Sequence, residues 1–99
     1  IGRRDFIINS GGVKLNPEAI EKKLAKYISA EFVISSIDHS KFGEVVALVF
    51  KKNVPDDYNK AFTNLSKYEI PKEVLAIDNL PKINGKLNRL KIRNLINHN

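Results

Sequence analysis

Apolar positions along this chain follow two rhythms, short alternating or continuous runs and helical spacing, and glycine or proline marks most of the switches between them. Phe6-Ile7-Ile8 and Val13-Lys14-Leu15 flank Ser10-Gly11-Gly12, which predicts a short hairpin. Asn16-Pro17-Glu18 then supplies a capping side chain, a proline at the first helical position and an early acid. Ile20, Leu24 and Tyr27 recur at helical spacing with Glu21, Lys22, Lys23 and Lys26 outward, so an amphipathic helix is predicted from Pro17 to Tyr27.

Two β-rich runs follow. Glu31 to Asp38 carries Phe32, Val33, Ile34 and Ile37, and Glu44 to Lys51 carries Val45, Val46, Leu48, Val49 and Phe50. They are expected to pair antiparallel across His39-Ser40-Lys41-Phe42-Gly43. Asn53-Val54-Pro55-Asp56 breaks the second run, and Tyr58, Phe62 and Leu65 predict another helix of about ten residues. Glu73 to Ile77 reads as a further strand after Ile70-Pro71, and Asn88 to Asn97 as a closing helix with Leu90, Ile92, Leu95 and Ile96 apolar. The fold class is α+β, an N-terminal β-hairpin followed by a small sheet covered by about three helices, in one domain over 1–99.

Composition narrows the chemistry. With no cysteine there is neither a disulfide nor a thiolate metal site, and with His39 and His98 the only imidazoles no histidine-rich metal site is expected. A 42% hydrophobic and 28% charged balance suits a soluble domain, and no apolar stretch approaches the roughly 20 residues that span a bilayer, so a cytoplasmic protein is expected. The net charge of +6 favours anionic partners. Lys82, Lys86, Arg89, Lys91 and Arg93 concentrate it, with Lys72 shortly upstream and no acid after Asp78. The cluster reads either as a solvated helix face or as a surface that meets phosphate.

Leu80-Pro81-Lys82-Ile83-Asn84-Gly85-Lys86-Leu87 places a lysine after an Asn-Gly turn and before an amphipathic helix. Together with Gly2-Arg3-Arg4-Asp5, Ser10-Gly11-Gly12, Pro17-Glu18-Ala19-Ile20-Glu21, Phe42-Gly43-Glu44-Val45-Val46 and Tyr68-Glu69-Ile70-Pro71-Lys72, this order of motifs resembles the small C-terminal domain of the adenylate-forming superfamily. That superfamily includes acyl-CoA synthetases, peptide-synthetase adenylation domains and luciferases. The stretch from Ile8 to Pro17 resembles more narrowly the o-succinylbenzoate–CoA ligases of menaquinone synthesis. Phe6 departs from the second aspartate many members carry, and Asn84 from their usual threonine.

The resemblance implies a lid that rotates over a larger N-terminal domain, which would bind ATP, its Mg2+ and the carboxylic acid. Lys86 would be the catalytic lysine of adenylation, Arg3 would reach the nucleotide ribose, and Asp5 would be the hinge. Gly11 and Gly12 would line the passage for the CoA pantetheine, with Lys14 near the CoA phosphates. An ammonium neutralises oxygens that gather charge in the transition state. A unit-charge pair about 4 Å apart gains only ~1 kcal/mol in water but ~4 kcal/mol at an effective dielectric near 20, so Lys86 would act when the lid is closed.

The chain holds no Ser/Thr/Gly-rich phosphate loop followed by lysine, and it starts at the hinge motif, so it is expected to be a ligase fragment inactive alone. Two alternatives stand beside this reading. One is an adenylation domain that loads a carrier protein. The other is a basic nucleic-acid-binding module, although Tyr27, Tyr58 and Tyr68 are not interleaved with the basic run as a base-stacking platform would require.

Overall fold

The computed structural model describes residues 7–97. Arg3, Asp5 and the first residue of the expected hairpin, Phe6, lie outside the described residues. The elements are β1 (Ile8–Ser10), β2 (Val13–Leu15), α1 (Pro17–Leu24), β3 (Phe32–His39), β4 (Gly43–Lys51), a 3-10 helix (Tyr58–Asn64), β5 (Glu73–Ile77), β6 (Lys82–Ile83), β7 (Lys86–Leu87) and α2 (Arg89–Asn97). The fold is α+β, as the patterning predicts.

The sheet is organised around β4. It pairs antiparallel with β3 from Phe32↔Phe50 to His39↔Gly43, meets β1 at Ser10↔Gly43, and pairs in parallel with β5 from Ala47↔Glu73 to Lys51↔Ile77. Val45 to Phe50 are all buried because both faces of β4 are covered. Val46, Leu48 and Phe50 pack with Ile20, Leu24 and Ile28 on the α1 side. Ala47 and Val49 pack with Val33, Leu80, Ile92 and Ile96 on the α2 side.

Two predicted features take a different form. The first helix stops at Leu24, and Tyr27 does not complete its apolar stripe. Asn16 caps α1 as expected, accepting from the Glu18 and Ala19 amides, but the chain turns after Ala25. Ile28, four residues beyond Leu24, takes the buried slot at 8% exposure and leaves Tyr27 at 58%. The second helix is a seven-residue 3-10 segment rather than an α-helix of ten. Asp57 gives it no side-chain cap, and the Lys60 amide donates to the Asp57 carbonyl at 3.2 Å in the tighter bonding pattern. Of the apolar positions in the closing helix, Ile92 and Ile96 are buried whereas Leu90 and Leu95 are exposed.

Candidate functional site

Lys86 is presented by a hairpin that its own sequence dictates. Asn84 and Gly85 both have positive φ, 53° and 80°, the combination a type I′ turn demands and Asn-Gly supplies at least cost. Ile83 pairs with Lys86 across this turn, and Lys82 with Leu87. The base of the hairpin is fixed at three points. Leu87 packs against the core cluster containing Val33 and Ile92, the Asn88 amide donates to the Pro81 carbonyl at 2.8 Å, and the Asn88 side chain accepts from the Lys91 amide at 3.2 Å to cap α2. Lys86 itself is exposed and shares an open cleft with Glu18, Ile83, Asn84, Asn88 and Arg89.

The basic segment is not uniformly available for a ligand. Arg89 clasps Glu21 with two bonds of 2.6 and 2.7 Å, and its guanidinium also donates to the Ile34 carbonyl at 3.1 Å. The hydrogen bonds to Glu21 outweigh burial and raise the Arg89 pKa above its ordinary value. Arg93 donates to Asp38 at 2.6 Å, to Glu44 at 3.0 Å and to Ser36 at 3.1 Å. Burial opposes its charge, but Glu44 and Asp38 more than compensate, so its pKa is also raised. Two arginines of the expected phosphate surface are thus committed to internal pairs. Lys82, Lys86 and Lys91 have no carboxylate partner among the described residues.

Gly11 and Gly12 turn the first hairpin with φ of 59° and 87°, again both positive. The Gly11 amide donates to the Phe42 carbonyl at 2.9 Å. A Cβ on Gly11 would lie 3.4 Å from the Phe42 ring and 3.5 Å from the Tyr68 ring, whereas one on Gly12 would meet nothing within 4 Å. Gly12 therefore faces open space and Gly11 backs onto two aromatic rings. The cleft here is lined by Asn9, Gly11, Gly12, Lys41, Phe42 and Glu44. Lys14 is exposed on β2 opposite Asn9 and lines neither this cleft nor that of Lys86.

Sequence reasoning missed the aromatic and basic cluster beside this turn. Lys41 and Lys72 lie 5.6 and 5.2 Å from the Phe42 ring centre, and Lys67 lies 5.7 Å from that of Tyr68. Lys67 lies outside the Lys82–Arg93 run, so its contact with Tyr68 leaves the separation of the tyrosines from that run unchanged. Lys67-Tyr68 and Lys41-Phe42 are each adjacent in sequence, and that repeated Lys-aromatic pair was the available signal. Glu21 was expected to point outward; it is half-buried and also accepts from the Ile34 amide at 2.7 Å. Its spacing from Pro17, Leu24 and Ile28 puts it on the buried stripe, where an acid implies a partner.

Among the described residues no group of three or more histidines, cysteines or carboxylates could hold a metal ion, and no helix is long and apolar enough to cross a membrane.

No protein-family model matches the chain. Individual proteins do. A 2-succinylbenzoate–CoA ligase of Listeria monocytogenes is 31% identical over 99 aligned residues, covering 94% of this chain and 21% of that ligase. The human mitochondrial acyl-coenzyme A synthetase ACSM2B is 35% identical over 107, covering 94% of this chain and 18% of that protein. The solved o-succinylbenzoate CoA synthetase MenE of Bacillus subtilis, in complex with its acyl-adenylate intermediate, matches with a TM-score of 0.72 and 32% identity over 93% of this chain and 20% of that one. The chain spans about one fifth of the length of these relatives. Sequence and fold agree with these acid–CoA ligases over nearly all of this chain's residues, and the match fits a C-terminal domain of an adenylate-forming ligase.

Proposed function

We propose that residues 1–99 are the mobile C-terminal lid of an ATP-dependent acid–CoA ligase, which makes an acyl adenylate and then an acyl-CoA thioester. The observation that carries this reading is the difference between Lys86 and its neighbours. Arg89 and Arg93 are bound up in ion pairs within the domain, whereas Lys86, like Lys82 and Lys91, has no carboxylate partner among the described residues, and it is Lys86 that follows the Asn84-Gly85 turn directly. A free cation held by a fixed backbone is suited to neutralising charge on a substrate that arrives from outside the domain.

In this reading Lys86 approaches the carboxylate and α-phosphate oxygens when the lid closes for adenylation. Arg3 reaches the ATP ribose and Asp5 is the pivot. Mg2+ travels with ATP on the larger domain. For the second half-reaction the lid offers its other cleft. Gly11 and Gly12 border the pantetheine, the Phe42 and Tyr68 rings with Lys41, Lys67 and Lys72 suit the nucleotide end of CoA, and Lys14 is an outlying cation toward its phosphates.

The acid assigned here is o-succinylbenzoate, supported by the names of the Listeria and Bacillus relatives, and the setting is cytoplasmic menaquinone synthesis. The human relative carries a different name at similar identity, so the acid is tested directly. In the longer ligase, pyrophosphate exchange into ATP should depend on o-succinylbenzoate within a panel of carboxylic acids, and CoA should discharge the adenylate. Exchange with another acid only would replace the substrate, and discharge by a holo carrier protein but not by CoA would replace the acceptor. The nucleic-acid reading is the less favoured, because two of the five cations it relies on between Lys82 and Arg93 are internally paired.

A further inference from the structure

Among the described residues, a side-chain clasp joins the two helices that flank the sheet around its edge, three residues from Lys86. Strand β3 is an edge strand, so its outward amides and carbonyls depend on side chains or water. At Ile34 the carboxylate of Glu21 on α1 accepts the amide at 2.7 Å, and the guanidinium of Arg89 on α2 donates to the carbonyl at 3.1 Å. The same two side chains hold each other through the two-bond clasp already described. Their side chains are 18% and 14% exposed, so the pair is largely shielded from water.

Arg89 is the first residue of α2, and Lys86-Leu87-Asn88 run directly into it. Beyond the type I′ turn, the orientation of the exposed β6–β7 hairpin depends on what fixes this junction. Leu87 and Asn88 fix its depth. The clasp is the contact that ties it to α1, whose Glu18 lines the Lys86 cleft. We propose that Glu21, acting through Arg89, is a positioning residue for Lys86: the Glu21–Arg89–Ile34 clasp sets where the hairpin delivers the lysine ammonium when the lid closes. The inference rests on the assignment of Lys86 to adenylation. A displacement of about 1 Å at a reacting centre can cost up to ~100-fold in rate, so loosening the clasp should be visible without unfolding the domain.

The test uses the full-length ligase and two variants. Arg89→Lys keeps the charge but cannot form the planar two-bond clasp, and Glu21→Gln keeps the shape but leaves Arg89 without its counter-charge. For each variant that is folded by thermal melting, kcat of pyrophosphate exchange should fall about tenfold or more with KM for ATP little changed, while thioester formation from supplied acyl adenylate is retained. Decisively, adding either substitution to Lys86→Ala should lower exchange no further, because the clasp acts only through that lysine. Unchanged exchange in the single variants, equal loss in both half-reactions, or an additional loss in the Lys86→Ala background would overturn the proposal. Wild-type exchange by Lys86→Ala alone would overturn the assignment of Lys86 together with it.

Discussion

Glu44 joins the first hairpin to the closing helix: one of its oxygens accepts the Asn9 amide at 2.9 Å and the other accepts Arg93 at 3.0 Å. Asn9 is in the strand that leads into Gly11-Gly12, and Arg93 is one turn into the helix that follows Lys86. The hairpin of the glycine turn and the helix that follows Lys86 thus share one carboxylate. Replacing Glu44 by Ala strips Arg93 and the Asn9 amide of a shared acceptor. Because the pair is partly exposed, the loss should be about 1 kcal/mol, read as a lower urea midpoint with an unchanged m value.

Glu69 gives a pH dependence with a definite sign. Burial alone would raise its pKa, but the Ser66 amide at 2.9 Å and the Lys23 ammonium at 2.9 Å reverse this and hold it below the ordinary carboxylate value. A depressed folded-state pKa contributes stability above the unfolded-state value, about 4.3, and loses it as pH falls through the folded-state value. The stability difference between wild type and Glu69→Gln should thus be largest near neutral pH and shrink in acid. Urea midpoints measured at about pH 7 and about pH 3 check this, and a gap that widens in acid would contradict it.

The lysine turn is tested by backbone strain rather than by charge. A Cβ at Gly85 meets no atom of the described residues within 4 Å, so Gly85→Ala is strained by its φ of 80°, at a cost of roughly 1–2 kcal/mol. Asn84, at φ 53°, is a residue that tolerates this region. Gly85→Ala should accordingly lower pyrophosphate exchange while sparing thioester formation, and Asn84→Gly should leave both close to wild type. Equal effects of the two substitutions would contradict the role given to the turn.

The aromatic and basic cluster predicts the opposite split. Phe42→Ala removes the ring that Lys41 and Lys72 approach, and the loss of one stacking contact of about 1–3 kcal/mol should raise KM for CoA about tenfold. Pyrophosphate exchange should not change. Gly11→Ala should act on the same step, since its φ of 59° strains an L side chain and its Cβ would come into contact with Phe42 and Tyr68. Half-reaction assays with CoA titrations measure both.

What the sequence conveyed and what it concealed follow from how local each cause is. The Val45–Phe50 run, the Asn16-Pro17 helix start and the Asn84-Gly85 turn are decided by neighbours in the chain, and all three appear as read. The parallel pairing of β5 with β4 depends on a crossover through residues 52–72, whose 3-10 helix lacks a side-chain cap, and hydrophobic spacing alone does not define it. At the candidate site, Lys86 and the glycine turn were legible because turn chemistry names their positions. The Glu21–Arg89 clasp, 68 residues apart, was not, and the closing segment therefore read as more freely basic than it is.

The most direct measurement compares the two half-reactions of the full-length ligase in wild type and Lys86→Ala. The account predicts that pyrophosphate exchange falls by about 100-fold or more, as loss of an electrostatic stabiliser does, while thioester formation from supplied acyl adenylate stays near wild type. Equal loss in both steps, or exchange indifferent to the substitution, would contradict it.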